Sequence, residues 1–309
     1  MNDRDMYRIR VILKKLENKV MTLLKLMEFV HNWYCVLLIY AGIKTKSLVK
    51  FRESDEVFML DRSSWDEFWS HFWSKVRDSS LKDRLNLKYI SKCEVKFKYD
   101  HVEVRMFLGN EQDLRVVYEV FCEEVYKDLD VKDKCVIDIG TYIGDTAIYF
   151  VLRGAKKVIA VEPYPFSYSL AKKNIRTNNM LDKVLLINAA VASEYGKIRL
   201  SCSPSDAESI LKSSENGIEV PIMTIKDLLS LAKDYIADSY SVLKIDCEGC
   251  EYDLILNSSP QMFTFFNEVM LEYHNDPRPL IKKLKELGFK LIKLKVSNEH
   301  LGIIYARRL

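Results

Sequence analysis

The sequence predicts an α/β protein built on a Rossmann-like, doubly wound, mostly parallel sheet, with a helical N-terminal region and a β-hairpin ahead of the core. Three observations predict it. From Lys134 onward, short apolar runs alternate with amphipathic helical stretches. The run Val136-Ile-Asp-Ile-Gly-Thr-Tyr-Ile-Gly-Asp145 ends a strand in an acid and enters a helix past two glycines. A second apolar run, Lys157-Val-Ile-Ala-Val-Glu162, ends in another acid twenty-four residues after Asp138.

The N-terminal region reads as residues 1–85. Ile9, Ile12, Leu13, Leu16, Val20, Leu23, Leu24, Met27 and Val30 recur at helical period, and Arg8, Arg10, Lys14, Lys15, Lys19 and Lys25 hold the other face. Ser64-Trp-Asp-Glu67 has the form of a capping box. It opens a helix with the stripe Trp65, Phe68, Trp69, Phe72 and Trp73, a pattern that suits a sugar platform but more often marks core. Residues 86–130 form a lead-in: Cys93 to Leu108 alternates as a hairpin with its turn at Asp100-His101, and Glu111 to Leu129 reads as a helix.

The core spans residues 131–309. Strands are expected at Cys135–Ile139, Val158–Val161, Val184–Val191, Val242–Ile245 and Glu268–Glu272. Helices are expected at Asp145–Leu152, Phe166–Asn178, Ile225–Lys233, Glu251–Leu256 and Pro279–Leu287. An insert from Ala192 to Pro221 carries one strand at Lys197–Ser201. Leu291–Lys295 and Gly302–Ala306, joined by Val296-Ser-Asn-Glu299, read as a closing hairpin, so one late strand runs antiparallel.

Composition narrows the function classes. With 309 residues and 48% apolar content the chain buries a real core. A net charge of +3 gives no electrostatic case for nucleic acid. Seven scattered cysteines suggest a reducing compartment, and Cys247-Glu-Gly-Cys250 lacks a second pair at metal-ligand spacing. The polar N-terminus is unlike a signal peptide, and the apolar run Trp33 to Ile43 is too short to span a bilayer. A cytoplasmic protein is therefore expected. Its basic N-terminal helix either packs on its own lobe, meets an anionic membrane surface, or takes part in self-association.

The first motif points to a cofactor. Gly140 and Gly144 leave room for a ligand at the backbone, and Glu162 is placed to hold ribose hydroxyls. The spacing D-x-G-x-x-x-G lacks the remaining glycines of a dinucleotide fingerprint. Asp138 would repel a pyrophosphate and attract the α-ammonium of a methionine moiety, so S-adenosylmethionine (SAM) fits better than NAD.

The second motif, Ser241-Val-Leu-Lys-Ile-Asp-Cys-Glu-Gly-Cys-Glu-Tyr252, delivers Asp246, Glu248 and Glu251 at the end of a buried strand. Helix capping accounts for one such acid comfortably and for three with difficulty. Together with Val161-Glu-Pro163, Asn188-Ala-Ala-Val191, Val220-Pro-Ile-Met-Thr-Ile-Lys-Asp-Leu228 and Leu271-Glu-Tyr-His274, these motifs resemble the FkbM-type SAM-dependent methyltransferases from about Asp113 onward. The resemblance implies a cofactor site of Asp138, Gly140, Gly144, Asp145, Glu162 and Asn188. It implies an acceptor and catalytic region of Asp246, Glu248, Glu272 and His274. It also implies O-methylation of a hydroxyl on a sugar, lipid-linked glycan or secondary metabolite. A hydroxyl acceptor must lose its proton, and the candidates for base are His274, if it titrates near neutrality, and Asp246 or Glu248, if desolvated. The acids would also suit Mg²⁺, but no metal ligand set is assigned. The alternative is a non-catalytic protein of the same fold that binds a partner through its N-terminal helices.

Overall fold

A computed structural model of the chain describes residues 3–52, 56–110, 112–200, 217–236, 241–298 and 300–308. The chain divides into two compact units, Met1–Leu87 and Lys88–Leu309. The first contains helices α1 (Asp3–Phe29) and α2 (Trp33–Tyr40), an antiparallel pair β1 (Lys46–Lys50) and β2 (Val57–Asp61), and helix α3 (Trp65–Leu85). The hairpin is an addition to the helical region expected from periodicity. Its core gathers Leu26, Phe29, Val30, Phe51, Phe68 and Phe72, with Phe29 and Phe72 meeting edge to face. The aromatic stripe is thus mainly core. The capping box does not form. Ser64 caps nothing with its side chain, and the Asp61 carboxylate instead accepts the N–H groups of Ser63 and Ser64.

The second unit opens with β3 (Lys88–Ser91), β4 (Glu94–Tyr99) and β5 (Val102–Phe107), a three-stranded antiparallel sheet. Asp100 and His101 take the left-handed conformations that a tight hairpin turn requires. Helix α4 (Asp113–Val117) continues as a π-helical turn, Tyr118–Cys122. It stops well short of the expected Leu129. Glu124 turns left-handed, with φ 51°, and the following residues carry Tyr126 and Leu129 into the core.

The remaining elements are β6 (Cys135–Ile139), α5 (Asp145–Leu152), β7 (Lys157–Val161), α6 (Pro165–Thr177), β8 (Val184–Ile187), β9 (Ala190–Val191), β10 (Gly196–Leu200), β11 (Ile218–Met223), α7 (Ile225–Ile236), β12 (Ser241–Ile245), α8 (Cys250–Asn257), β13 (Phe266–Tyr273), α9 (Arg278–Glu286), β14 (Phe289–Val296) and β15 (Gly302–Arg308). Seven strands make the main sheet in the order β14-β15-β13-β12-β6-β7-β8. Its first five strands in the chain, β6, β7, β8, β12 and β13, pair in parallel, and β15 runs antiparallel between β13 and β14. This is the doubly wound sheet with one reversed late strand that the alternation predicted. Strands β6 and β12 are buried at every residue, as a sheet covered on both faces requires.

The expected strand Val184–Val191 is broken in two. The Asn188 side chain donates to the carbonyls of Glu162 and Pro163, which fastens the chain at the sheet edge. Beyond it, β9 joins β11 and β10 in a small separate sheet. The predicted insert strand is present as β10, while Ser201 and the insert through residue 216 lie outside the described residues. The helices α7, α8 and α9 fall where periodicity put them.

Candidate active site

The parallel strands β6, β7, β12 and β13 all end at one edge, the edge where open α/β sheets bind ligands. A cavity of about 560 Å³ lies there, lined by Gly140, Tyr142, Asp145 and Glu162 toward β7 and by Asp246, Glu248, Glu272 and His274 toward β13. Both groups of residues singled out in the sequence therefore reach one cavity, except for three.

Asp138 is the first exception. It is wholly buried beneath the loop. Its neighbour across the parallel ladder is Lys244, whose Nζ lies 3.0 Å from its Oδ1. Thr146 donates its hydroxyl to the other oxygen at 2.6 Å. The cation expected from a cofactor is supplied here by the chain itself. Burial works to strip the Lys244 proton, but the charges of Asp138 and Asp246 hold it above the ordinary lysine range. Gly144 is the second exception: it caps α5, and a Cβ there would stand 3.2 Å from Ala171, so it serves helix packing. Asn188, the third, fixes the backbone of Glu162 and Pro163 as described.

Gly140 lines the cavity, but the space left by its missing Cβ is filled by protein. A Cβ would fall 1.7 Å from the carbonyl oxygen of Asp246, and φ is +80°. Glu162 sits in the cavity wall with its two oxygens accepting the N–H groups of Tyr142 and Tyr164 at 3.0 and 2.9 Å. Burial lifts its carboxyl to about 8 against those bonds. Asp145 is also buried, with one carboxylate oxygen lacking a hydrogen-bond partner. Burial raises it to about 8 despite the pull of Lys244. Val161, Pro163, Ala189 and Ala190 supply an apolar wall beside Glu162.

The other end is crowded with acids. Asp246 follows β12 and accepts the Tyr126 hydroxyl at 2.8 Å. Burial and the charge of Asp246 push that phenol well above its ordinary value, so it remains a donor. Burial, then the charge of Asp246, lifts Glu272 to about 9. His274 is held between acids: Nδ1 lies 3.0 Å from fully buried Glu251 and Nε2 lies 3.2 Å from Glu248. Burial pushes the ring down, but the bond to Glu251 and the charges of Glu248 and Glu251 prevail and set it at about 9. That value favours the protonated ring near neutrality and speaks against His274 among the three candidate bases. Burial lifts Glu248 to about 7, against the attraction of His274. Ligand atoms of Asp246, Glu248 and His274 lie within 4.8 Å of one another, close enough to chelate a cation.

Cys247 and Cys250 form a disulfide. The scattered cysteines, which read as the mark of a reducing compartment, do not suggest a bridge at this pair. Cys250 is the first residue of α8, and the bridge spans Glu248 and Gly249, whose φ values of 54° and 118° put both in the left-handed region. Sequence reasoning missed Tyr126, Lys244 and the structural part of Glu251. A lysine in an otherwise apolar buried strand was the available signal for Lys244. Nothing local marks Tyr126, which acts across 120 residues of chain. Among the described residues no helix is long and apolar enough to cross a membrane.

Residues 138–291 match the model of the methyltransferase FkbM domain. A protein from Methanocaldococcus jannaschii that bears the name of a protein N5-glutamine methyltransferase is 29% identical over 189 residues, covering 59% of this chain and 85% of its own length. The methyltransferase sdnD of Sordaria araneosa is 22% identical over 266 residues, covering 73% of this chain and 95% of its own. Among solved structures, the ribosomal protein L11 methylase from Lactobacillus delbrueckii subsp. bulgaricus is 18% identical, covers 66% of this chain and 82% of its own, and superposes with a TM-score of 0.37.

Proposed function

Since residues 138–291 of this chain belong to the methyltransferase FkbM domain family, we propose that the protein transfers a methyl group from SAM to a hydroxyl of a small-molecule or glycan acceptor: a sugar, a lipid-linked glycan or a secondary metabolite. One observation carries the reading. A single cavity has Glu162 in the wall at one end and a carboxyl poised near neutrality, Glu248, at the other.

The residues fit the cofactor. Glu162 keeps acceptor capacity for two ribose hydroxyls beyond the two N–H groups it already binds. The apolar wall of Val161, Pro163, Ala189 and Ala190 suits an adenine. The unpartnered oxygen of Asp145, in place of Asp138, suits the α-ammonium. SAM supplies an electrophilic methyl on a sulfonium. In the transfer the S–CH₃ bond breaks, an O–CH₃ bond forms, and the hydroxyl proton goes to Glu248. A carboxyl at about 7 is strong enough to take a proton and is ionised in part at neutral pH. His274, held by Glu251, keeps Glu248 facing the cavity. Positioning of the acceptor in line with the methyl supplies most of the acceleration.

Calorimetry with SAM, S-adenosylhomocysteine and NAD tests the cofactor, and transfer of labelled methyl from SAM to a panel of hydroxylated glycans and lipids tests the acceptor class. SAM binding without NAD binding is expected, with label entering base-stable ether linkages. SAM binding with no transfer to any acceptor would favour the non-catalytic alternative, and label in protein amides would replace hydroxyl by amide as the acceptor.

A further inference from the structure

We infer that α1 is one strand of a two-helix coiled coil and that its partner is α1 of a second copy of this chain. The helix has two apolar faces. One, with Leu26, Phe29 and Val30, is buried in the core of its own unit. The other carries Ile12, Leu13, Leu16, Val20, Leu24 and Met27, which stand 43–59% exposed. An aliphatic stripe this long on a helix already anchored by its opposite face is costly to leave in water.

The spacing of the stripe says what covers it. Leu13, Leu16, Val20, Leu23 and Met27 are separated by alternating steps of three and four, and in the sequence the same alternation reaches back to Ile9, while Val30, next in register, turns into the core of its own unit. That is a heptad register with apolar a and d positions, the seam that another helix of the same pattern fills. Off the seam stand the polar residues Lys14, Lys15, Asn18 and Lys25, of which Lys15 and Asn18 are exposed. Two of these lysines are occupied within the helix, Lys14 with Glu17 and Lys25 with Glu28, which leaves less free charge for an anionic membrane. Pairing two stripes would close six large apolar side chains from each copy, each about half exposed, into one seam, and a specific interface needs about 1,000 Å² in total. This inference does not rest on the methyltransferase reading.

The test uses the full chain. Sedimentation from about 1 to 100 μM, a range that brackets micromolar affinity, should show a species of twice 36.2 kDa growing with concentration. Leu16→Asp with Val20→Asp should leave a monomer whose unfolding still shows the transition of the α/β unit, while Asn18→Asp, on the outer face, should still dimerise. Independently of any variant, hydrogen exchange of residues 12–27 in the wild type should slow as concentration rises. A wild type monomeric throughout, or a dimer that survives the double substitution, overturns the inference. So does concentration-independent exchange, or a monomer that co-sediments with phosphatidylserine vesicles through Leu16 and Val20, which would make a lipid surface the occupant.

Discussion

Lys244 and Asp138 form an ion pair closed to solvent, with Nζ and Oδ1 3.0 Å apart and both side chains fully buried. They are register partners on adjacent parallel strands, β12 and β6, so the backbone ladder itself brings them together. The Lys244 ammonium also donates to the Gly140 carbonyl at 2.5 Å, which ties the pair to the first loop of the cavity. Asp138 thus acts on that loop from below, through its partner.

Removing one member should strand the other. Lys244→Met is expected to cost about 3–5 kcal/mol, the usual penalty for an uncompensated buried charge, and Asp138→Leu in the same chain should recover much of it. Urea denaturation of the single and double variants measures both. A single variant within 1 kcal/mol of wild type would show that the pair is structurally idle.

Glu162→Ala should weaken SAM by about 1–3 kcal/mol, a drop of roughly 5- to 150-fold, because ribose hydroxyls lose their acceptor. Titration calorimetry reads this directly. Gly140 makes a poorer probe than its place in the motif suggests: any side chain there meets the Asp246 backbone and disturbs both ends of the site.

Turnover should rise as pH passes about 7, since Glu248 accepts a proton only when ionised, and should fall above about 9, where His274 loses the charge that positions it. Glu248→Gln is expected to lower kcat by roughly 10²–10⁴-fold and remove the acid limb. His274→Gln should remove the alkaline limb with a smaller loss. An acid limb that persists unchanged in Glu248→Gln would assign the base elsewhere.

The ligand-free protein should lose stability as pH rises from about 5 to 9. Asp145 and Glu162, at about 8, and Glu272, at about 9, hold protons in the native state that their unfolded counterparts release near pH 4. The native state then binds more protons than the unfolded one, so stability falls with pH. His274 acts in the same direction: its contribution is complete below about 6.5 and is lost through about 9. Melting temperatures across this range check the sign, and a melting temperature that climbs toward pH 9 would contradict it.

Much of this was legible in the sequence because it is local. The strand-loop-helix motif at Val136–Asp145 and the acid-rich end of β12 have periodicity and residue type that fix both element and edge. What escaped depends on distant partners. Asp138 looked like a ligand group because its companion, Lys244, lies 106 positions away in the chain and is set by sheet register. His274 looked like a base because the two acids that hold its proton come from another loop and helix. The helix expected to reach Leu129 ends before a left-handed Glu124, and Tyr126 beyond it donates to Asp246, a partner 120 residues away that no helical propensity encodes.

The close approach of Gly140 to Asp246 has a mechanical consequence. The Asp246 N–H is bonded to the Ile139 carbonyl at 3.0 Å, and the Asp246 carbonyl presses into the space a Cβ at Gly140 would fill. The two turns that hold opposite ends of the cavity therefore cannot shift independently. A ligand in one half is therefore expected to change the affinity of the other, equally in both directions, and calorimetry of S-adenosylhomocysteine with and without acceptor measures it.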